Sequence, residues 1–301
     1  MKKITAEYLL TGRETKLLAG KFLEEKHIKV LINEDCLVSL PSGKTIAIFK
    51  KNYIEPQILY DAYINMLPAA TRTNNRGTAS GGEMKNRILQ DGTISKTTQT
   101  YVPGTEEKMF VNSGIAGYFD RGAHFDYCRT TAFTRQNLEK YEKCLPLVNV
   151  VNQAFKEMVP NRYKKQRAMA LATHPNFVID NTAFTTITIN RDYRTAVHTD
   201  AGDYAEGFGN LVAYTKNIGG AYFVMPQYGV GFKMRTNDLL LADVHQWHGN
   251  TPLIKKQDDA VRLSFVMYYR NGMIKCGSPS QELKRQKLNT TAVHRKYIGR
   301  I

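Results

Sequence analysis

Beyond residue 178 the chain breaks into short β-type runs, and this pattern constrains its fold more than any other feature. The runs cover 183–190, 211–215, 221–225, 230–235, 239–242 and 261–269. They are rich in β-branched and aromatic residues and are punctuated by Gly, Asn and Asp. Strands this short and this numerous bury their apolar faces in two packed sheets or a closed barrel. A helical block precedes them. Across 134–158, Leu138, Tyr141, Leu145, Val148, Val151 and Phe155 recur at spacings of three and four, with Pro146 as an interruption, and a second helix is predicted over 160–172. The expected fold class is α+β: a double-stranded β-helix core of the jelly-roll, cupin-like kind, buttressed by helices.

Three segments follow from this reading. Residues 1–105 are expected to form a small α/β N-terminal extension, with strands at 28–32 and 45–49. It includes a mobile loop at 71–100 that is polar, basic and rich in Gly, Thr and Asn. Residues 106–275 form the barrel. Residues 276–301 read as a basic C-terminal tail carrying Lys284, Arg285, Lys287, Arg295, Lys296 and Arg300, for which a cationic helix is equally open.

Composition narrows the function classes. Apolar residues make up 42% of the chain, with 17 Tyr and 13 Phe, enough for a large core and against global disorder. Lys and Arg (42) exceed Asp and Glu (27) by 15, which favours a polyanionic partner. Nucleic acid comes before a membrane surface, because no basic amphipathic helix with a wide apolar face is evident. The bland alternative is solubilising charge. Cys36, Cys128, Cys144 and Cys276 form no CxxC pair, so they are expected to be reduced and to act as small apolar residues. No apolar run resembles a signal peptide or reaches the roughly 18 residues of a membrane span, so a soluble, intracellular protein is expected.

The residues that carry chemistry are His198, Asp200, His248 and Arg262. Positions i and i+2 of an extended segment share a face, so His198 and Asp200 can offer an imidazole nitrogen and a carboxylate oxygen to one ion. His248, in DVHQWHGNTPL, completes a two-histidine, one-carboxylate face of the kind that holds non-haem Fe(II) and leaves positions open for 2-oxoglutarate and O2. Arg262 supplies a permanently charged fork for the remote carboxylate of 2-oxoglutarate, and Ser264, two residues on, a hydroxyl. His245 is the rival third ligand. It lies three residues before His248 and is otherwise a supporting residue.

These residues, with SGIAGYFDR, CRTTAFT, AFTTITINRDYRTAVHTDAGDYAEGFGN, GGAYFVMPQYGV and RLSFVMYY, resemble the TET/JBP family, its JBP and phage members in particular. The resemblance runs from about Ser113 to Arg270. It implies an Fe(II)/2-oxoglutarate-dependent dioxygenase that hydroxylates the 5-methyl group of 5-methylcytosine or thymine in DNA, on a base flipped out of the duplex. It assigns His198, Asp200 and His248 to iron and Arg262 to 2-oxoglutarate.

Other residues leave their roles open. Asn190, Arg191 and Arg194 suit contact with phosphate or cosubstrate, or a strand-end turn held by its own hydrogen bonds. Asp203 and Asn210 suit a base edge or loop capping. Arg162, Lys164 and Lys165, with Arg167, suit the phosphate backbone or a solvated helix face. Phe184, Tyr214 and Tyr222 read as core, and Trp247 as packing beside His248. Two other functions compete: a 2-oxoglutarate-dependent hydroxylase of a nucleotide, small molecule or protein, and a non-catalytic DNA-binding barrel.

Overall fold

A computed structural model describes residues 1–85, 87–88, 94–95, 99–122 and 125–298. Part of the expected 71–100 loop (86, 89–93 and 96–98) and Arg300 of the expected tail lie outside the described residues. The chain divides into two compact units, each discontinuous in sequence. The first comprises Met1–Gly114, Thr188–Asp200 and Gly209–Val266; the second comprises Ile115–Ile187, Ala201–Phe208 and Met267–Ile301.

The first unit holds two main sheets and, among the described residues, three two-stranded ones. The strands of the main sheets are β1 (Lys2–Thr5), β2 (Val30–Ile32), β3 (Cys36–Ser39), β4 (Thr45–Lys50), β5 (Arg72–Thr73), the start of β6 (Val111–Phe119), β8 (from Thr188 of Thr186–Arg191), β9 (Gly209–Lys216), β10 (Phe223–Met225), β11 (Val230–Phe232), β12 (Leu239–Ala242), β13 (Gly249–Asn250) and β14 (Val261–Tyr268, to Val266). The larger sheet runs β1-β3-β4-β12-β9-β14-β8-β6, with β5 on β6. The smaller runs β13-β10-β11-β2, where β2 joins β11 in parallel. Residues 1–50 therefore contribute to both sheets of the barrel rather than standing apart as an extension. β4 pairs antiparallel with β12, with Leu239 opposite Lys50 and Ala242 opposite Ala47. All four residues of β12 are buried, which explains a run of unbroken apolar character where a one-sided strand would alternate.

Between the sheets, Cys36, Val38, Ala47, Phe49 and Ala242 pack against Phe223, Met225, Val230 and Phe232. Phe49 meets Phe232 edge-on at 5.9 Å between centroids. Burying side chains of this size stabilises the fold by about 1.5–3 kcal/mol each. Sandwiched sheets of this order are the double-stranded β-helix expected from the sequence.

The first unit also holds α1 (Gly12–Lys16) and α2 (Pro56–Met66), and the second carries the other described α-helices and the short strand β7 (Arg129–Thr130). The predicted 134–158 helix is three: α3 (Ala132–Gln136), α4 (Leu138–Glu142) and α5 (Leu145–Met158). Pro146 sits in the first turn of α5, where its missing N–H leaves no bond unmade. Helix α5 buries Leu147, Val148, Val151, Ala154 and Phe155 along one side. In α6 (Pro160–Ala172) the buried Gln166 donates to Ala183 O at 2.8 Å and accepts from Phe208 N at 3.2 Å.

Two expectations are corrected in this unit. The C-terminal stretch is a helix, α7 (Pro279–Ile298), rather than a tail. It is anchored by Glu282, which is 2% exposed and accepts from Arg121 and from the amides of Cys128 and Gly277. The cysteines are not all separate: Cys128 and Cys276 are joined in a disulfide, while Cys36 and Cys144 are buried thiols. The pair is 148 residues apart in sequence and meets in a small core with Phe177, Tyr269 and Met273, a proximity that linear spacing cannot reveal. Among the described residues, no helix is long and apolar enough to cross a membrane.

Candidate active site

The segments that carry His198 and His248 are joined by an antiparallel bridge. His198 N donates to His248 O at 2.9 Å and His248 N to His198 O at 3.0 Å, so the two side chains leave the same face, their rings 4.3 Å apart. Gly249 makes this approach possible, because a Cβ there would lie 3.1 Å from the backbone of Ala196 and Val197. Asp200 is fixed two residues on, its amide donating to Val244 O at 3.0 Å. His198 Nε2 lies 3.4 Å from one Asp200 oxygen and His248 Nε2 lies 3.7 Å from the other. One donor atom from each residue falls within 4.8 Å of the others, and among the described residues no other group of His, Cys, Asp and Glu does this.

The hydrogen bonds behind the rings suit a metal. His198 Nδ1 is 2.8 Å from Ala196 O and His248 Nδ1 is 2.9 Å from Gln246 O. A carbonyl only accepts, so each Nδ1 carries a proton and each Nε2 is the atom left to face Asp200 or an ion. Burial lowers the His248 pKa to about 4, with the neighbouring His198 adding to the effect, so this ring is neutral at physiological pH. Burial opposes the Asp200 carboxylate, yet the hydrogen bond and charge of His198, with His248 and His245 nearby, hold it at about 2. Burial opposes protonation of His198, but Asp200 outweighs it and raises this pKa. An ion taking the place of that proton would meet two imidazole nitrogens and an ionised oxygen, a donor set that fits a ferrous ion. The ring of Phe223 stacks on His248 at 5.0 Å and 19°.

Arg262 and Ser264 lie near the start of β14, both 5% exposed. Among the described residues the Arg262 guanidinium makes one hydrogen bond, a long one of 3.4 Å to Ser264 Oγ, and no ion pair. Asp192, an acid whose charge acts on Arg262, is engaged by Lys255 Nζ and by the Arg262 backbone amide, each at 2.8 Å. Burial, and after it the charge of Arg235, lowers the Arg262 pKa to about 10. A buried cation without a counter-ion fits a carboxylate ligand such as the remote end of 2-oxoglutarate.

Residues 114–271 match Tet_JBP, the oxygenase domain of the 2OGFeDO superfamily. The chain belongs to this TET/JBP family. Among its TET/JBP relatives, thymine dioxygenase JBP1 of Trypanosoma brucei brucei is 39% identical over 164 residues, 53% of this chain and 19% of that protein. The bifunctional helicase and thymine dioxygenase JBP2 of Trypanosoma cruzi (strain CL Brener) is 29% identical over 257 residues, 84% of this chain and 21% of that protein. The chain thus spans about a fifth of the length of these curated relatives. The solved structure of NgTET1 in complex with 5mC DNA matches with a TM-score of 0.53 at 12% identity, over 85% of this chain and 86% of that one, a likeness of fold.

The remaining candidate residues of this TET/JBP chain divide by what they touch. In the first unit, Asn190 is buried and accepts from Ser113 Oγ, which itself accepts from Arg76 Nε at 2.7 Å. Arg191 is exposed at the end of β8. Arg194 is occupied structurally, donating to Leu23 O, Glu24 Oε1 and Asn250 O above the ring of Phe22. Asn210 is fully buried on β9 opposite Leu241. His245 lies outside the three-residue group, its Nδ1 3.5 Å from Asp243 Oδ1. Trp247 packs on Leu23, Val197 and Val224, and Tyr214 stacks on Tyr63 at 3.9 Å.

In the second unit, Asp203 bridges to Arg270 and the ring of Phe184 stacks on Phe155. Arg162 donates to Ala205 O, Lys165 pairs with Glu206 and Arg167 donates to Thr182 O, while Lys164 lines a surface groove beside Tyr163 and Leu171. Sequence reading missed Phe223, which stacks on His248. It lies within a run identified as a strand, but nothing in a linear pattern marks which side chains of a barrel strand line its site.

Proposed function

We propose that the chain is an Fe(II)- and 2-oxoglutarate-dependent dioxygenase that hydroxylates the 5-methyl group of a pyrimidine, 5-methylcytosine or thymine, in DNA. The observation that carries this reading is the pairing of a two-histidine, one-carboxylate face with a buried, ion-pair-free arginine in one barrel. Family membership supports the cofactors, and the names of the relatives, thymine dioxygenases and a protein bound to 5mC DNA, support the substrate class.

When bound, iron and 2-oxoglutarate with dioxygen supply the oxidising chemistry; the chain supplies geometry. His198 and His248 would each offer Nε2 and Asp200 an oxygen. The Nδ1–carbonyl hydrogen bonds stop the rings turning, and the Asp200 charge offsets that of the ion. Arg262 and Ser264 would hold the remote carboxylate of the cosubstrate. Phe223 covers one face of His248 and keeps water from it. A methyl group stacked inside a duplex cannot approach donors this buried, so the target base leaves the stack, and the chain's excess of positive charge holds the flanking phosphates. Further oxidation of the same carbon is open to the same site.

The test is to incubate the ferrous protein with 2-oxoglutarate and duplex DNA containing thymine or 5-methylcytosine, then digest the DNA and weigh the nucleosides. A 5-hydroxymethyl nucleoside, with succinate release that requires the DNA, is the expected result. Succinate without an oxidised base would refute the DNA substrate, and oxidation of free nucleotide alone would favour the nucleotide hydroxylase.

A further inference from the structure

We propose that Arg235 is a second cosubstrate-binding residue, forming with Arg262 a two-guanidinium seat for the remote carboxylate of a dicarboxylic 2-oxoacid; this rests on the reading of the site as a 2-oxoglutarate oxygenase. Arg235 lies in the turn between β11 and β12. The turn is tight: Arg235 N donates to Asp238 Oδ2 at 2.8 Å, and Asp238 N to Arg235 O at 3.1 Å. The next residue, Thr236, is clamped to Thr215 of β9 by three hydrogen bonds of 2.7–3.1 Å. Strand β9 is the neighbour of β14, which carries Arg262. The clamp therefore holds the turn of Arg235 against β9, the strand next to the one that carries Arg262.

Neither arginine has an acid for itself. The Asp238 carboxylate is engaged by Lys51 Nζ at 2.7 Å and by the amides of Asn52 and Arg235. Asp192 is held by Lys255 and by the Arg262 amide. Among the described residues the Arg235 guanidinium donates to its own neighbour, Met234 O, at 2.6 Å, lies 5.6 Å from the centre of the Tyr222 ring and forms no ion pair. The two cations are close enough that the Arg235 charge is, after burial, the main influence lowering the Arg262 pKa. Like charges brought together out of water repel, and among the described residues no carboxylate forms an ion pair with either guanidinium. An anionic ligand relieves both at once. Both arginines and the candidate metal ligands belong to the first unit.

The experiment measures 2-oxoglutarate binding by calorimetry on Mn(II)-loaded protein, without turnover, for wild type, Arg235→Ala and Arg235→Lys, with pyruvate as the probe lacking the remote carboxylate. Arg235→Ala should weaken 2-oxoglutarate at least about tenfold, the scale of one charge-assisted hydrogen bond, and leave the weak binding of pyruvate where it is. Arg235→Lys should recover most of the loss, and in turnover the change should fall on KM rather than kcat. Equal binding of 2-oxoglutarate by wild type and Arg235→Ala would overturn the proposal. So would an Arg235→Lys protein that binds no better than Arg235→Ala and melts lower, which would make Arg235 a turn residue only. Wild-type protein that binds no 2-oxoglutarate would refute the oxygenase reading itself, a separate outcome.

Discussion

Replacing Arg262 with Met should separate stability from function, because the guanidinium destabilises the ligand-free barrel that it equips for binding. Its pKa falls from the ordinary guanidinium range to about 10 on folding. At about 1.4 kcal/mol per pH unit, this corresponds to about 3 kcal/mol against the folded state. The folded chain holds this proton less tightly than the unfolded chain. The penalty is therefore complete below about pH 10 and fades only as the pH rises toward the value of a free guanidinium, so all of it acts at neutral pH. Met fills similar space without charge, and the single long hydrogen bond to Ser264 is all that the variant gives up. In differential scanning fluorimetry the ligand-free variant should melt at or above the wild type, by up to about 6 °C at roughly 2 °C per kcal/mol. Affinity should move the other way, with 2-oxoglutarate weakened by about 2–5 kcal/mol, or roughly 30- to 5000-fold. The stabilisation of about 2.7 kcal/mol that wild type gains at 100 times its Kd should vanish. A variant that melts several degrees lower yet binds 2-oxoglutarate normally would refute the reasoning and make Arg262 a packing residue.

Other perturbations test the remaining assignments. His198→Ala and Asp200→Ala should each remove stoichiometric iron, read by elemental analysis, and reduce succinate release by at least about a hundredfold, whereas His245→Ala should keep its iron; the reverse would exchange the roles of the two histidines near β13. Replacing Arg162, Lys164 and Lys165 together with Ala should weaken duplex binding and flatten its salt dependence by up to about 0.9 for each phosphate no longer neutralised, with the melting temperature unchanged; an unaltered salt slope would place the DNA elsewhere. Glu282→Gln should cost about 1–3 kcal/mol at pH 7. Burial pushes this carboxyl up, but Arg121 and two backbone amides outweigh it and hold it below the ordinary 4.5. The stability it adds is present above that value and lost as the pH falls through the lowered one, so the gap between variant and wild type should close in acid. A gap that persisted unchanged at acid pH would contradict the ion pair.

The candidate site was legible in the sequence because its chemistry is local. His198 and Asp200 are two residues apart, and Arg262 and Ser264 share one face of a single strand. Five of the strands from 209 onward were legible for a similar reason, since buried strands are written as β-branched runs between turns, and Leu239–Ala242 was delimited to the residue, whereas the short Ile218–Gly220, Gly249–Asn250 and Leu253–Lys255 were not read. What escaped was long-range. Cys128 and Cys276 meet only because the second unit folds them into one core. Residues 1–50 looked like an extension because nothing local shows that β4 pairs with a strand nearly two hundred residues later. Helix α7 was hidden by its charge, since a cationic helix and a cationic tail have the same composition. Arg194 looked like a ligand because a linear pattern does not show which carbonyl oxygens surround it.

The family match begins at residue 114, but the sheet that supports the site does not. Strand β4 covers the open side of β12, whose last residue leads straight into the turn bearing His245 and His248. A truncated protein starting at the match would strip that side and present the four apolar residues 239–242, with unpaired amides and carbonyls, to solvent. Such a fragment would keep every residue assigned to chemistry and still aggregate, so a minimal soluble oxygenase cut from this chain has to retain the segment around 36–50.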